Sequence, residues 1–124
     1  MDNASLTQAA ETALTRLSIR RRSPCPGWYF CRLPNGITFN LRISGSTVRL
    51  WRYVGTVSAK SWHRCMARLS ALRELFPFRV EITPDGCVSL AVQEEMDDGT
   101  AFPALLEGFA AVITLDRLRP ASVY

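Results

Sequence analysis

The stretch Trp28-Tyr29-Phe30-Cys31-Arg32-Leu33-Pro34-Asn35-Gly36-Ile37-Thr38-Phe39-Asn40-Leu41-Arg42-Ile43-Ser44-Gly45-Ser46-Thr47-Val48-Arg49-Leu50-Trp51-Arg52-Tyr53-Val54 decides the fold. It holds three runs, 28–33, 37–43 and 47–54, dense in aromatic and β-branched residues and separated by Pro34-Asn35-Gly36 and Ser44-Gly45-Ser46. Runs of that kind between turn residues predict strands. Asn35-Gly36 is a two-residue hairpin signal, because both residues tolerate positive φ. A tight loop there sets Phe30 opposite Leu41 and Trp28 opposite Ile43, and a Gly45-Ser46 turn sets Ile43 opposite Val48 and Leu41 opposite Leu50. Both registers gather one apolar set, Phe30, Leu41, Ile43, Val48 and Leu50, on a single face, so the expectation is a three-stranded antiparallel meander. The opposite face then carries Tyr29, Cys31, Leu33, Asn40, Arg42, Arg49, Trp51 and Tyr53. Aromatics interleaved with arginines can grip a peptide by packing and carboxylate pairing, or stack bases while holding phosphates. A helix lying over the face is the competing explanation.

Outward from the meander the periodicity turns helical. Residues 4–19 place Leu6, Ala10, Ala13, Leu14 and Leu17 at three- and four-residue steps, an amphipathic helix that stops before Arg20-Arg21-Arg22-Ser23-Pro24. From Ser58 to Phe76 a second stripe, Trp62, Cys65, Met66, Leu69, Leu72 and Phe76, is ringed by Arg64, Arg68 and Arg73 and ends at Pro77. Residues 78–82 and 87–92 alternate about Thr83-Pro84-Asp85-Gly86, a type I turn with glycine in the left-handed bulge position, which pairs Ile82 with Val88, Val80 with Leu90 and Phe78 with Val92. Glu94-Glu95-Met96-Asp97-Asp98-Gly99 reads as an acidic loop. Residues 103–118 read as a third helix, with Leu105, Leu106, Phe109, Val112 and Ile113 inward and Arg119-Pro120 ending it. The expected fold class is α+β, one domain over 1–124, in the order α-β-β-β-α-β-β-α.

Composition narrows the function. No apolar run reaches the roughly 18 residues of a spanning helix, and Met1-Asp2-Asn3-Ala4-Ser5 shows no signal-peptide pattern, so a cytoplasmic protein without membrane insertion is expected. Cys25, Cys31, Cys65 and Cys87 form no C-x-x-C pair and, with the single His63, no zinc spacing; free thiols are expected. Neither a phosphate-cradling glycine loop nor an H-E-x-x-H or G-x-S-x-G motif occurs. The expectation is a protein that is not an enzyme and has no catalytic residues, metal or cofactor.

Charge is unevenly placed within the net +4. Residues 1–73 hold twelve Arg/Lys against Asp2 and Glu11, while 74–124 hold three arginines against nine acids, leaving the halves at +10 and −6. Such asymmetry fits a nucleic-acid surface, a complementary contact between subunits, or an acidic partner. Trp, Met and Arg along the second helix are also residue types enriched in subunit interfaces.

This order of elements resembles that of the class I type III secretion chaperones, the Tir-chaperone or CesT-like family. The resemblance spans the Leu6 to Leu17 helix, the Asn35-Gly36 meander, the Trp62 to Phe76 helix, the Pro84-Asp85-Gly86 hairpin and the Leu105 to Ile113 helix. It implies a cytoplasmic bacterial homodimer in virulence. Each dimer would bind the N-terminal segment of one secreted effector and keep it competent for secretion without nucleotide. By that similarity Leu6, Leu14, Leu17, Tyr29, Leu33, Arg42, Arg49, Trp51 and Tyr53 would meet the effector, and Trp62, Met66, Leu69 and Arg73 would form the dimer. Members of the family are usually acidic, whereas this chain has a pI near 9.2. The alternatives are a nucleic-acid-binding domain using the basic aromatic face with Arg20 to Arg22, and a secretion-system adaptor or regulator of the same fold.

Overall fold

Two five-residue segments set the registers of the sheet in the computed structural model, which describes residues 3–117. In Leu33-Pro34-Asn35-Gly36-Ile37 the Leu33 carbonyl accepts from Gly36 N–H at 2.9 Å and Leu33 N–H donates to Ile37 at 2.8 Å. Thr83-Pro84-Asp85-Gly86-Cys87 repeats the pattern, with 2.9 Å from Gly86 N–H to Thr83 and 3.0 Å from Thr83 N–H to Cys87. Proline, with φ fixed near −65° and no N–H, suits the second position of a type I turn, and Gly36 and Gly86 take φ of +90° and +88° after it. The first loop is therefore a three-residue loop, not the two-residue loop expected.

The elements run α1 (Ala4–Arg16), β1 (Arg20–Cys25), β2 (Trp28–Arg32), β3 (Thr38–Ser44), β4 (Thr47–Thr56), α2 (Trp62–Arg73), β5 (Arg79–Ile82), β6 (Cys87–Glu95) and α3 (Phe102–Arg117). The α+β class and the order of the expected elements hold, with one strand added. All the strands join one antiparallel sheet in the order β1-β2-β3-β4-β6-β5. Asn3 caps α1 by accepting the Leu6 N–H at 3.0 Å. The helix closes at Arg16, short of residue 19, through Ser18 at φ +57° and a 2.9 Å bond from Ile19 N–H to the Leu14 carbonyl.

Three expectations are corrected. The basic run after α1 is strand β1, tied to β2 by Arg20↔Arg32, Arg21↔Cys31, Arg22↔Phe30 and Cys25↔Trp28. Arginine and Pro24 suit an outer strand, since they discourage further pairing along its free edge. Next, β2 is shifted by one residue against β3, so that Trp28 meets Arg42, Tyr29 meets Leu41 and Phe30 meets Asn40. That shift turns every side chain of β2 over: Tyr29, Cys31 and Leu33 are buried and Phe30 is 48 % exposed. Finally, Glu94 and Glu95 belong to β6, which pairs Glu94 with Val48 and Glu95 with Thr47; only the rest of the acidic stretch is loop. The β3–β4 pairs Leu41↔Leu50 and Ile43↔Val48, and the β5–β6 pairs Val80↔Leu90 and Ile82↔Val88, are as expected. The second helix is shorter than expected, beginning at Trp62 and ending at Arg73. The expected end of the third helix at Arg119-Pro120 lies outside the described residues.

One apolar cluster joins Tyr29, Cys31, Phe39, Leu41, Ile43, Val48, Leu50, Val88, Leu90 and Val92 of the sheet to the inner faces of the helices, through Leu6 and Leu14 of α1, Leu69 and Leu72 of α2, and Phe109 and Ile113 of α3. Phe39 meets Phe109 edge to face at 5.8 Å between ring centres. Across the same layer a buried pair ties α2 to α3, with Arg68 Nη2 2.7 Å from Asp116 Oδ1. All three helices thus serve one face of the sheet. Among the described residues none lies over the other.

Candidate functional site

Because side chains alternate along a strand, the strand residues left out of the core share the bare face. Register turns them into cross-strand rows. One runs Arg22, Phe30, Asn40, Trp51, Ala91, Arg79 from edge to edge, and its neighbour runs Trp28, Arg42, Arg49, Gln93. Neighbouring strands stand about 4.8 Å apart, which puts each arginine within reach of a ring in the next strand or the next row.

Every large ring of these two rows carries a guanidinium. Arg42 lies over Trp28 at 4.5 Å, Arg49 over Trp51 at 5.2 Å and Arg22 over Phe30 at 5.6 Å. Trp28 and Trp51 meet edge to face at 5.9 Å and 84°, so they do not form a parallel stacking platform. Each cation on an exposed ring contributes about 0.5–1 kcal/mol, and the larger effect is to fix the guanidinium direction before anything binds. Glu81 of β5 grips Arg49 with both oxygens, at 2.5 Å and 3.1 Å, and the hydrogen bonds from Arg49 hold its carboxyl below the usual glutamate value. Tyr53, 54 % exposed, closes the face at the far end of β4, its hydroxyl 2.8 Å from Thr56 Oγ1. Just beyond it the β4–β6 register shifts between Tyr53 and Gly55.

Of the nine side chains expected to meet a partner, four come together on this face: Arg42, Arg49, Trp51 and Tyr53. Leu6, Leu14, Tyr29 and Leu33 lie in the core. Tyr29 reaches up to α1, where its hydroxyl donates to Glu11 at 3.0 Å; burial first, and this carboxylate second, push its pKa up to about 12. Leu17 is partly buried and lines a groove between α1 and α3, about 480 Å³ in volume, with Ala9, Thr12, Arg16, Pro103 and Glu107. Trp28 and Phe30, which were not among the expected contacts, complete the bare face together with Arg22, expected there only under the nucleic-acid alternative. The signal that could have found the first two was Pro34, through the register it imposes.

Along α2, Trp62 is 40 % exposed, Met66 half-buried and Arg73 exposed, while Leu69 is buried against the core. Trp62 shares a shallow apolar depression with Val57, Ala59, Ile82 and Pro84. The thiols are all free. Burial pushes Cys31 up to about 12 and raises Cys65, so both are neutral packing groups at physiological pH. His63 is exposed. No cluster of three or more His, Cys, Asp or Glu side chains that could hold a metal is found among the described residues, and no described helix is long and apolar enough to cross a membrane.

No protein-family model matches the chain, and no curated protein matches it in sequence. Solved structures do. A chain of the ExsC–ExsE complex superposes with a TM-score of 0.64 over 98 % of this chain and 98 % of its own, at 16 % identity. YbjN from E. coli gives a TM-score of 0.48 over 90 % of this chain and 82 % of its own, also at 16 % identity. The first likeness runs nearly the full length of both chains and shows a shared α+β fold, consistent with the order of elements expected from the sequence.

Proposed function

We propose that the protein is a non-catalytic, cytoplasmic chaperone of the type III secretion kind, which holds the N-terminal segment of one secreted effector on its bare sheet face and keeps it competent for export. The observation that carries this reading is the end-to-end match to a chain solved in complex with a second protein, the ExsC–ExsE pair. The bare face supports it. Trp28, Phe30, Trp51 and Tyr53 offer apolar surface that this chain's own helices leave uncovered, framed by arginines of fixed direction. Aromatic and arginine anchors of that kind supply most of the energy at protein interfaces. Leu6, Leu14, Tyr29 and Leu33 serve the site by holding α1 and β2 in place, and Leu17 borders the separate groove beside α3.

A homodimer belongs to the same reading. Trp62, Met66 and Arg73 would supply its contact, with Leu69 anchoring α2 beneath them.

The test is purification of the tagged protein from its native cells after nuclease treatment, with mass spectrometry of what stays bound. One abundant companion, retained at high salt by the native protein and lost by Trp51→Ala while the fold persists, is the expected result. Loss of all companions on nuclease treatment would instead assign the face to nucleic acid, whose phosphate contacts weaken steeply with salt. Recovery of a secretion-machine component in place of a secreted protein would make the chain an adaptor.

A further inference from the structure

At the Phe30 end of the ladder of capped rings, the bare face forms a groove of about 840 Å³ bordered by Arg20, Arg22 and Arg32, with Phe30 and Tyr53 as its exposed apolar walls; Arg21 and Arg52 of the intervening positions also line it. Thr38 and Asn40 of β3 line it between those walls, and no acidic residue lines it. Phe30 stands on β2 and Tyr53 on β4, two strand spacings apart and, because Phe30 is in line with Trp51, one row further along, so that roughly 12 Å separates their backbone positions and admits one extended chain. Arg52 donates Nη1 to the Thr38 carbonyl at 2.6 Å. Arg20, Arg22 and Arg32 have no carboxylate at salt-bridge distance among the described residues, where the ion pairs are Arg49–Glu81 and Arg68–Asp116.

We infer that this groove binds an extended acidic segment of the partner protein, whose carboxylates pair with Arg20, Arg22 and Arg32 while its apolar side chains pack between Phe30 and Tyr53. The inference rests on the partner-holding reading and names the chemistry of the partner. Three arginines without a carboxylate partner among the described residues, Arg20, Arg22 and Arg32, at a groove with no acid in its lining favour an anionic ligand. Guanidinium forks match carboxylates in pairs of parallel hydrogen bonds. A single-stranded nucleic acid would need free ring faces on which to stack its bases, and the face offers few: Phe30 carries Arg22, Trp28 carries Arg42 and Trp51 carries Arg49. The chain's own acidic stretch is a poor occupant from a second copy, because Glu95 is engaged by Ser46 and Thr47 and Asp98 by Thr100.

The experiment is fluorescence anisotropy on the full chain with three labelled probes: the peptide (Asp-Glu-Leu)4, its neutral isostere (Asn-Gln-Leu)4, and a single-stranded dodecathymidylate. The acidic peptide is expected to bind at least tenfold tighter than the isostere. The double variant Arg22→Gln/Arg32→Gln is expected to lose at least tenfold for that peptide, Phe30→Ala several-fold, and the remote basic pair Lys60→Gln/Arg64→Gln less than twofold. Equal binding of acidic and neutral peptides, tighter binding of dodecathymidylate, an equal loss in the remote pair, or a change of oligomeric state in Arg22→Gln/Arg32→Gln would each overturn the inference. Circular dichroism of the variants verifies that they fold. Failure here is separable from failure of the broader reading. If a native companion stays bound to Arg22→Gln/Arg32→Gln, the chaperone reading stands and the groove is refuted; if no companion exists yet the peptide binds as expected, the groove stands alone.

Discussion

Replacing Arg68 by Met removes the cation of the one ion pair among the described residues whose two side chains are both almost fully buried, at 4 % and 6 % exposure. Arg68 Nη2 serves both the Asp116 carboxylate, at 2.7 Å, and the Asp116 backbone carbonyl, at 2.6 Å. The surroundings exclude water well enough to raise the neighbouring Cys65 thiol, with burial as the leading cause and the two charges opposing each other. Without Arg68, the Asp116 carboxylate loses its cation 2.7 Å away in a layer shielded from water, and breaking a buried pair in this way costs about 3–5 kcal/mol. Against a total stability on the order of 5–15 kcal/mol, that is a large fraction. For a domain of this size it corresponds to a fall in Tm of about 10–20 °C. Asp116→Leu should cost a similar amount, whereas Arg68→Met/Asp116→Leu, which leaves no stranded charge, should be more stable than either single variant. Urea denaturation of the four proteins gives the coupling energy, expected to exceed about 2 kcal/mol. Single-variant losses below about 1 kcal/mol, or strict additivity, would refute the claim that the pair is desolvated and that it locks α2 onto α3.

The remaining predictions concern the turn, the proposed dimer and the rim of the sheet. Gly27 has φ of +82° and a Cβ there would sit 2.5 Å from the Ile43 carbonyl oxygen, whereas at Gly36, φ +90°, the nearest atom would be the mobile end of Arg32 at 3.9 Å. Gly36→Ala should therefore cost only the left-handed strain of about 1–2 kcal/mol, and Gly27→Ala should cost more by chemical denaturation; equal losses would show that the β1–β2 turn can yield. If α2 forms the dimer, Met66→Glu should halve the mass seen by light scattering at unchanged helicity, and a variant of unaltered mass would remove α2 from the interface. Arg49 holds the Glu81 carboxyl below its ordinary pKa, so its contribution is fully present above about pH 4.3 and disappears as pH falls through the lower folded value. With Glu81 about a third exposed, Glu81→Gln should cost less than about 1 kcal/mol at pH 7, and that cost should shrink as pH falls below about 4.3, read from denaturation midpoints.

Much of the fold is legible in the sequence because periodicity reports burial. The α1, α2 and α3 stripes and the pairs Leu41↔Leu50 and Val80↔Leu90 follow from spacing alone. Strand β1 carries no apolar signal: Arg20-Arg21-Arg22-Ser23-Pro24 is exposed throughout, because an outer strand whose free edge faces water needs no inward face. Arg21 shows the consequence, its guanidinium reaching Thr15 on α1 at 3.1 Å.

The error on β2 was of another kind, and it altered the candidate site more than the fold. Pro34-Asn35-Gly36 and Pro84-Asp85-Gly86 are the same turn, yet an Asn-Gly pair suggests a two-residue loop where the proline in front of it dictates three. If Asn35-Gly36 closed the loop, Pro34 would have to stand in the ladder, a place its ring and missing N–H suit poorly. Moving it into the turn shifts β2 by one residue and exchanges its faces: Tyr29, Cys31 and Leu33 pass into the core, while Trp28, Phe30 and Arg32 pass to the open side. The pairing of Phe30 with Asn40, and so the apolar wall of the basic groove, exists only in that register. A change that lets the loop close on two residues should therefore strip the groove of Phe30 and bury it against α1. The partner chemistry proposed for this face thus depends on a proline that does not itself line the groove.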